Sequence, residues 1–266
     1  MTRPGLARPS SRLLALEQLC VLEYGALVPA LPFLAALRDG NGSPVLVLPG
    51  FTGTDRSTLP LRRILEWRGH SVHGWRLGLN VGPHPGAVEG MQRRFLDLHE
   101  RYGVPISLVG WSLGGVYARE LARMYPDAVR QVVTLGSPFR LRGRDRTSAT
   151  WLYDAVRPRD DPFFGAPPEE QRPVLPVPTT AIYTRTDGIV RWHACIETAG
   201  DRRENIEVVG THSGLGVNLG AIVAVSDRLA QPDDVWRRFR PPAALRGVYR
   251  PPASWRPAGQ RAGMAR

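Results

Sequence analysis

The strongest structural signal in this chain is the stretch Ile106-Ser107-Leu108-Val109-Gly110-Trp111-Ser112-Leu113-Gly114. Its first six residues form an apolar run that predicts a buried β-strand, and residues 113–124 predict an α-helix that stops before Pro126. Only Ser112 is left to join the two elements, and a glycine stands two residues away on each side. Small neighbours are needed there because a strand and a helix joined so tightly approach each other closely. We therefore expect Ser112 to lie on a sharp, strained turn at the edge of a sheet.

The same order of strand and helix recurs along the chain. We predict six strands, at 45–48, 71–77, 106–111, 129–135, 180–184 and 205–209, and helices at 59–68, 88–101, 113–124 and 219–229. Apolar strands separated by helices are typical of a mostly parallel sheet with helices on both faces. The sequence therefore predicts an α/β fold with its main domain over residues 43–235.

A serine hydroxyl becomes a good nucleophile when a histidine, itself held by a carboxylate, takes its proton. His212 directly follows the last predicted strand. Asp187 follows the strand before it, at the carboxyl end where open α/β sheets build their sites. These positions predict Ser112 as nucleophile, His212 as base and Asp187 as the acid that orients it. Asp201 is the alternative acid.

Acyl transfer at a serine also needs hydrogen-bond donors for the negative oxygen that forms on the substrate. The backbone N–H of Leu113, directly after the nucleophile, is the first predicted donor. The second is the N–H of Phe51, in the segment 49–53 that follows the first predicted strand.

With LPGF at 48–51, GWSLGG at 110–115, TDGIV at 186–190 and THSGL at 211–215, the sequence resembles the α/β-hydrolase family. It is most similar to small lipase and esterase-like members, over about residues 43–232. The resemblance implies a serine hydrolase with Ser112, Asp187 and His212 as triad, acting on carboxylic esters without a metal or cofactor. Pro49 departs from the family, because a histidine usually precedes the glycine there. A second departure is the short front end, which lacks the first antiparallel strands of the fold.

Residues 139–178 are rich in arginine and proline and contain no clear strand. We interpret them as a lid over the site, with an irregular surface excursion as the alternative. Together with Phe51, apolar side chains around the pocket would favour an acyl or aromatic ester. The candidate substrate-binding residues are Trp111, Trp151, Phe163, Phe164 and Leu215.

The N-terminal segment, residues 1–42, has three arginines followed by an apolar stretch that Glu17 and Glu23 interrupt. We interpret it as an amphipathic helix that packs on the domain, or alternatively one that lies on a membrane surface. An export signal is not expected, because its apolar region would be unbroken. The sequence thus indicates a cytoplasmic protein, or one that is peripherally associated with a membrane.

Composition limits the partners further. The chain has 266 residues and a formal net charge of +11, and all of its 35 basic residues are arginine. Eight of them lie in the Pro/Arg-rich tail, residues 236–266, which we predict to be disordered. The remainder is nearly neutral, so we expect no nucleic-acid partner. The two cysteines, Cys20 and Cys195, are too few for a disulfide framework.

Two other functions remain open at the sequence level. An acyltransferase would use the same three residues and pass the acyl group to an alcohol instead of water. A catalytically silent binding protein would keep the fold without the reaction. For the enzyme we expect a small-molecule or lipid ester as substrate, and a monomer or weak dimer.

Overall fold

The computed structural model describes residues 6–141, 145–156, 167–233 and 235–254. It contains one seven-stranded sheet. The strands are β1 Pro44–Leu48, β2 Ser71–Gly74, β3 Ile106–Trp111, β4 Val129–Leu135, β5 Thr179–Tyr183, β6 Arg203–Val208 and β7 Tyr249–Arg250. Their order in the sheet is β2-β1-β3-β4-β5-β6-β7, in which β1 to β6 run parallel and β7 pairs antiparallel with β6.

Helices cover both faces of this sheet. They are α1 Ser11–Leu16, α2 Cys20–Ala35, α3 Leu59–Trp67, α4 Pro85–Tyr102, α5 Leu113–Met124, α6 Thr150–Val156 and α7 Leu219–Leu229. On β1, Val45 and Val47 belong to the apolar cluster formed with α2, α3 and α7, whereas Leu46 and Leu48 belong to the one formed with α4 and α5. Alternate side chains of a strand point to opposite faces, so a strand buried on both faces is apolar throughout. The predicted mostly parallel α/β fold is confirmed.

The strand order locates the place where a site can form. From β1 the chain crosses to β2 on one side and then returns to β3 on the other side. In open α/β sheets, ligands bind outside the carboxyl ends of the strands at the point where the order reverses. That point lies between β1 and β3, which end at Leu48 and Trp111.

The N-terminal segment is helical, as predicted, but it turns an unexpected side inward. α1 and α2 are joined by the 3-10 turn Glu17–Leu19, and α2 packs on α7. Glu17 is only 5% exposed, whereas the apolar Val21, Leu22 and Val28 are 67–71% exposed. Within the described residues, Ser11–Ala35 is the one helix long and apolar enough to cross a membrane by length and composition.

Beyond residues 139–141, the segment 139–178 is described in two pieces, 145–156 with α6 and 167–178 with the 3-10 turn Glu169–Gln171. The second piece is fixed to the domain because Glu169 forms buried ion pairs with Arg119 and Arg123 of α5. In the first piece, the ring of Tyr153 meets the ring of Phe51 edge-on, with 5.4 Å between their centroids. α6 therefore lies over the loop that follows β1. Phe163 and Phe164 lie outside the described residues.

The described part of the C-terminal tail differs from the disorder we predicted for residues 236–266. It contains the 3-10 helix Ala243–Val248 and β7. Tyr249 is buried, its ring centroid is 5.1 Å from that of Phe239, and its hydroxyl donates to the carbonyl oxygen of Gly220 at 2.9 Å. A few aromatic side chains thus supply the apolar contacts that the Arg/Pro-rich composition concealed.

Replacing Tyr249 tests whether this part of the tail belongs to the fold. Because Tyr249→Ala leaves a cavity and removes a buried hydrogen bond, we expect the free energy of unfolding to fall by about 3–5 kcal/mol. Urea unfolding followed by circular dichroism measures it. The exposed neighbouring substitution Arg250→Ala should change stability little, and equal stability of the two variants would contradict the structural role of Tyr249.

Candidate active site

Ser112 occupies the sharp turn that the sequence predicts. Its backbone has φ 53° and ψ −121°, a region that residues with side chains seldom adopt. Its N–H donates to the carbonyl oxygen of Leu135 at 2.8 Å, and its own carbonyl oxygen accepts the N–H of Gly115 at 3.0 Å. These two hydrogen bonds hold the strained serine at the carboxyl end of β3, where α5 begins.

The glycines around Ser112 make this turn sterically possible. A Cβ added to Gly110 would overlap the backbone of Gly114 and Gly115, and a Cβ added to Gly114 would overlap the carbonyl group of Leu48. β1, β3 and the first turn of α5 therefore meet at a point where no side chain fits.

His212 and Asp187 form a buried hydrogen-bonded pair. Nδ1 of His212 lies 2.6 Å from Oδ2 of Asp187, and the two residues are 6% and 3% exposed. The other carboxylate oxygen of Asp187 accepts the backbone N–H groups of Ile189 at 2.9 Å and Val190 at 2.6 Å. This fixed carboxylate orients the imidazole with Nδ1 inward and leaves Nε2 as the nitrogen that can accept a proton from a nucleophile.

Asp201, the alternative acid, is exposed in the turn before β6. It therefore lies near the amino ends of the parallel strands, at the opposite edge of the sheet from His212. The structure brings Asp187, not Asp201, to the histidine.

Two contacts place His212 beside the end of β3. The indole Nε1–H of Trp111, which precedes Ser112, donates to the carbonyl oxygen of His212 at 3.1 Å. A Cβ on Gly136, the residue after β4, would stand 3.0 Å from Nδ1 of His212. The imidazole thus lies above the end of β4, and neighbouring strands are only about 4.8 Å apart. Ser112, at the end of β3, is on the adjacent strand.

The charges around His212 favour its protonated form. Burial of the imidazole lowers its pKa, but the charge and hydrogen bond of Asp187, with a further contribution from the charge of Glu17, outweigh that effect. The net result is that the pKa of His212 is raised above its ordinary value. A base with a raised pKa accepts a proton more readily in a reaction.

The two predicted oxyanion donors lie on either side of Ser112. The N–H of Leu113 is the first of α5, and within the described residues neither it nor the N–H of Phe51 donates to a protein acceptor. A Cβ on Gly50 would stand 3.0 Å from Cβ of Ser112, so the loop after β1 runs directly against the serine. The loop that carries Phe51 and the first turn of α5 thus both adjoin the serine, and their role as oxyanion donors stays a prediction.

Asn80 supports this loop, and the sequence analysis missed it. Its side-chain NH2 donates to the carbonyl oxygen of Pro49 at 2.9 Å, and its backbone carbonyl oxygen accepts the N–H of Thr52 at 2.7 Å. The side chain is fully buried, and the hydroxyl of Tyr117 donates to its Oδ1 at 3.1 Å. A single asparagine in a Gly/Pro-rich loop carries no signal that would have revealed this role.

The predicted pocket residues have different surroundings. Trp111 is partly buried and held by its bond to His212, whereas Leu215 is fully buried in the core beneath it. Trp151 is 73% exposed and turns its side chain to solvent. Tyr153, two residues later, is the aromatic residue of α6 that contacts the loop at Phe51.

Comparison with known proteins identifies the fold. No protein-family model and no curated protein matches the sequence. Among solved structures, the chain is similar to the pyrethroid hydrolase PytH, with 18% identity and a TM-score of 0.51 over 73% of this chain and 99% of that chain. It is also similar to a monoacylglycerol lipase from Paleococcus ferrophilus, with 15% identity and a TM-score of 0.52 over 73% of this chain and 96% of that one. The chain has the α/β-hydrolase fold.

The regular elements among the described residues before β1 are helical. Across residues 6–43 the structure describes helices and no strand, and β1 is the first strand of the sheet. The N-terminal helix instead reaches the loops that follow β5 and β6. Glu17 accepts the backbone N–H of His212 at 3.0 Å, a contact that the sequence analysis did not foresee. The only sign of this contact in the sequence is an acidic residue inside an apolar helix.

Gly110 provides a test of the packing at the turn. Gly110→Ala pushes a methyl group into the start of α5, and we expect the free energy of unfolding to fall by about 3 kcal/mol, the upper end of the range for overpacking. Thermal and urea unfolding measure the change.

Gly25 is a suitable control, because nothing lies within 4 Å of an added Cβ and the residue is in the middle of α2. Gly25→Ala should raise stability by about 0.5–1 kcal/mol through helix propensity. A Gly110→Ala variant as stable as the wild type would show that β3 and α5 are farther apart than described.

Proposed function

We propose that this protein is a serine hydrolase that cleaves carboxylic esters, of the lipase or esterase kind. The observation that carries the proposal is the 2.6 Å hydrogen bond between His212 and Asp187, at the edge of the sheet where the strained Ser112 follows β3. A buried histidine and carboxylate beside a half-buried turn with a serine are the parts that acyl transfer requires.

In the proposed reaction, Oγ of Ser112 attacks the ester carbonyl carbon while Nε2 of His212 takes its proton. The carbonyl oxygen becomes an anion, which the N–H groups of Phe51 and Leu113 stabilise. Collapse of this intermediate breaks the bond to the alcohol oxygen, which receives the proton from His212. A water molecule then attacks the acyl-enzyme with His212 as base, and the acid leaves while Ser112 regains its proton.

The surroundings of the serine support an apolar substrate. The ring of Phe51 borders the oxyanion loop and contacts Tyr153, and the indole of Trp111 borders the loop of His212. Apolar walls with a few fixed donors are typical of sites for small apolar ligands. We therefore propose a small-molecule or lipid ester with an apolar acyl or aromatic part.

Labelling with a fluorophosphonate probe tests the proposal, because the probe reacts only with an activated serine. We expect the wild type to be labelled and to hydrolyse p-nitrophenyl esters, and Ser112→Ala to lose both activities. Asp187→Asn should remain folded and lose about 10⁴-fold in kcat, since the imidazole loses the anion that orients it.

Asp201→Asn is the matched control and should keep the wild-type kcat. An unlabelled, folded wild type would refute the proposal and favour a silent binding protein. Products analysed with added alcohols separate hydrolysis from acyl transfer: ester products in place of free acid would make the protein an acyltransferase.

We also propose that the N-terminal helix contacts an anionic lipid surface. Nine large apolar side chains between residues 14 and 33 are at least 40% exposed. The charged residues of Ser11–Ala35 are Arg12, Glu17 and Glu23; the arginine is exposed, and both carboxylates face the domain. The outer side therefore presents apolar groups and a positive charge without an acid, which suits a helix lying in a lipid interface.

A peripheral contact fits these groups better than a membrane span. A spanning helix would withdraw Glu17 and Glu23 from their hydrogen-bond donors and place both in hydrocarbon, which is costly for a charged side chain. A helix that lies on the surface keeps those bonds. We accordingly propose a cytoplasmic, membrane-associated location.

Sedimentation with vesicles of phosphatidylcholine and phosphatidylserine tests this contact. We expect the protein to bind, and the double variant Val21→Asp, Val28→Asp to remain in the supernatant, because both side chains lie on the exposed apolar side. Val104→Asp, on an exposed valine after α4, is the control and should still bind. Absence of wild-type binding, or self-association that the double variant abolishes without any vesicle binding, would refute the lipid contact.

A further inference from the structure

The inner side of the N-terminal helix follows a regular spacing. Its least exposed residues recur every three or four positions, which places them on one face. We call this set the docking stripe: Leu13, Glu17, Cys20, Glu23, Leu27, Ala30 and Leu34. Two of its seven members are glutamates, although apolar residues are usual on the buried face of a helix.

Glu17 connects the two loops that carry Asp187 and His212. Its Oε1 accepts the N–H of Gly188 at 2.8 Å and the N–H of His212 at 3.0 Å, and its Oε2 accepts the N–H of Ser213 at 2.8 Å. One carboxylate thus binds the residue after the acid, the histidine itself and the residue after the histidine.

Glu23 holds the histidine loop from its other side. Its Oε1 accepts both the N–H and the hydroxyl of Thr211, at 2.8 and 2.7 Å, and its Oε2 accepts the side-chain NH2 of Asn218 at 2.6 Å. Asn218 in turn caps α7 by accepting the N–H of Ala221 at 3.1 Å. The loop between β6 and α7 is therefore fixed to the helix on both sides of His212.

Steric fit accompanies these hydrogen bonds. A Cβ on Gly214 would overlap the carboxylate of Glu23, and a Cβ on Gly188 would overlap the backbone at Leu13 and Leu14. Both glycines lie next to or near the proposed triad residues. The helix can approach the loops so closely because these positions have no side chain.

The helix carboxylates, buried at Glu17 and half-buried at Glu23, and the loop N–H groups need each other here. A buried charge is stable only with partners, and a buried N–H outside regular structure also requires an acceptor. Hydrogen bonds to a charged group are stronger than those between neutral groups. The positions of the Asp187 and His212 backbones therefore depend on the presence of the helix.

Glu17 also acts on His212 through its charge. The titratable groups that face the imidazole are Asp187, from the loop after β5, and Glu17, from the N-terminal helix, and both favour its protonated form. Cys195 lies near Asp187, and burial first, then that carboxylate, raise the pKa of its thiol, so it stays neutral. Removing the charge of Glu17 should thus lower the pKa of His212.

We propose that the N-terminal helix is a positioning element of the active site, in which Glu17 and Glu23 hold the histidine loop in its working position. This inference rests on the proposed function, since it assigns a task to residues that support the His212 and Asp187 pair. Neither glutamate contacts reacting atoms, so both act through His212.

The decisive variant is Glu17→Gln, which preserves size and removes the charge. At least one loop N–H then faces an amide NH2 instead of an oxygen. With a p-nitrophenyl ester we expect kcat to fall by about 10²-fold, as for a misplaced catalytic group, with little change in KM. The acid limb of the kcat/KM profile should move to lower pH, because the neutral imidazole is the active form and its pKa falls.

Glu89→Gln is the matched control, since Glu89 is an exposed glutamate of α4 that pairs with Arg93 at the surface. It should keep the wild-type kcat and pH profile. NMR titration of the His212 imidazole in the full-length protein gives the same pKa shift without any turnover.

The outcomes separate the two proposals. If the wild type is not labelled but the pKa of His212 still falls in Glu17→Gln, the hydrolase proposal is refuted and the positioning role of Glu17 is retained. A folded Glu17→Gln variant with wild-type kcat and His212 pKa would overturn the positioning role. If Glu17→Gln does not fold, Glu23→Gln decides: a lowered kcat with unchanged KM supports the role, and an unchanged kcat overturns it.

Discussion

β3 and α5 approach each other so closely that no side chain fits between them, and the site is built around this contact. Gly110 and Gly114 leave no side chain between strand and helix, and Ser112 takes a backbone conformation that costs about 1–3 kcal/mol in a residue with a side chain. One hydrogen bond to β4 and one from the first turn of α5 hold it there. In this backbone conformation Ser112 lies at the edge of the sheet, beside the ends of β1 and β4.

Carboxylates that face the interior of the domain organise the other half of the site. Asp187, Glu17 and Glu23 come from two distant parts of the chain, and each accepts hydrogen bonds from loop groups that no strand or helix satisfies. The cost of burying the charges and the cost of burying unpaired N–H groups are removed by the same contacts. A loop held in this way retains its shape around His212 although it has no regular secondary structure.

Much of this arrangement is visible in local sequence patterns. The six parallel strands and the turn at Ser112 follow from short apolar runs and from glycine spacing, and Asp187 follows from its place after a strand. β7 was missed because its two residues lie in an Arg/Pro-rich tail, where composition suggested disorder. The exposure of Trp151 and the contact of Tyr153 with Phe51 were also missed, since the direction of a side chain in an irregular insert depends on what packs beneath it.

Local sequence patterns were enough to predict the order of strands and helices, the strained serine and the residues that follow each strand, because these depend on neighbours a few positions apart. Which side of the N-terminal helix faces the domain depends on long-range contacts and became visible in the folded chain. Apolarity alone would turn Val21, Leu22 and Val28 inward, but the N–H groups around His212, almost two hundred residues away, bind Glu17 and Glu23 instead. Contacts between such distant residues leave no periodic pattern in either segment, so the partner of a buried charge appears only when the chain has folded.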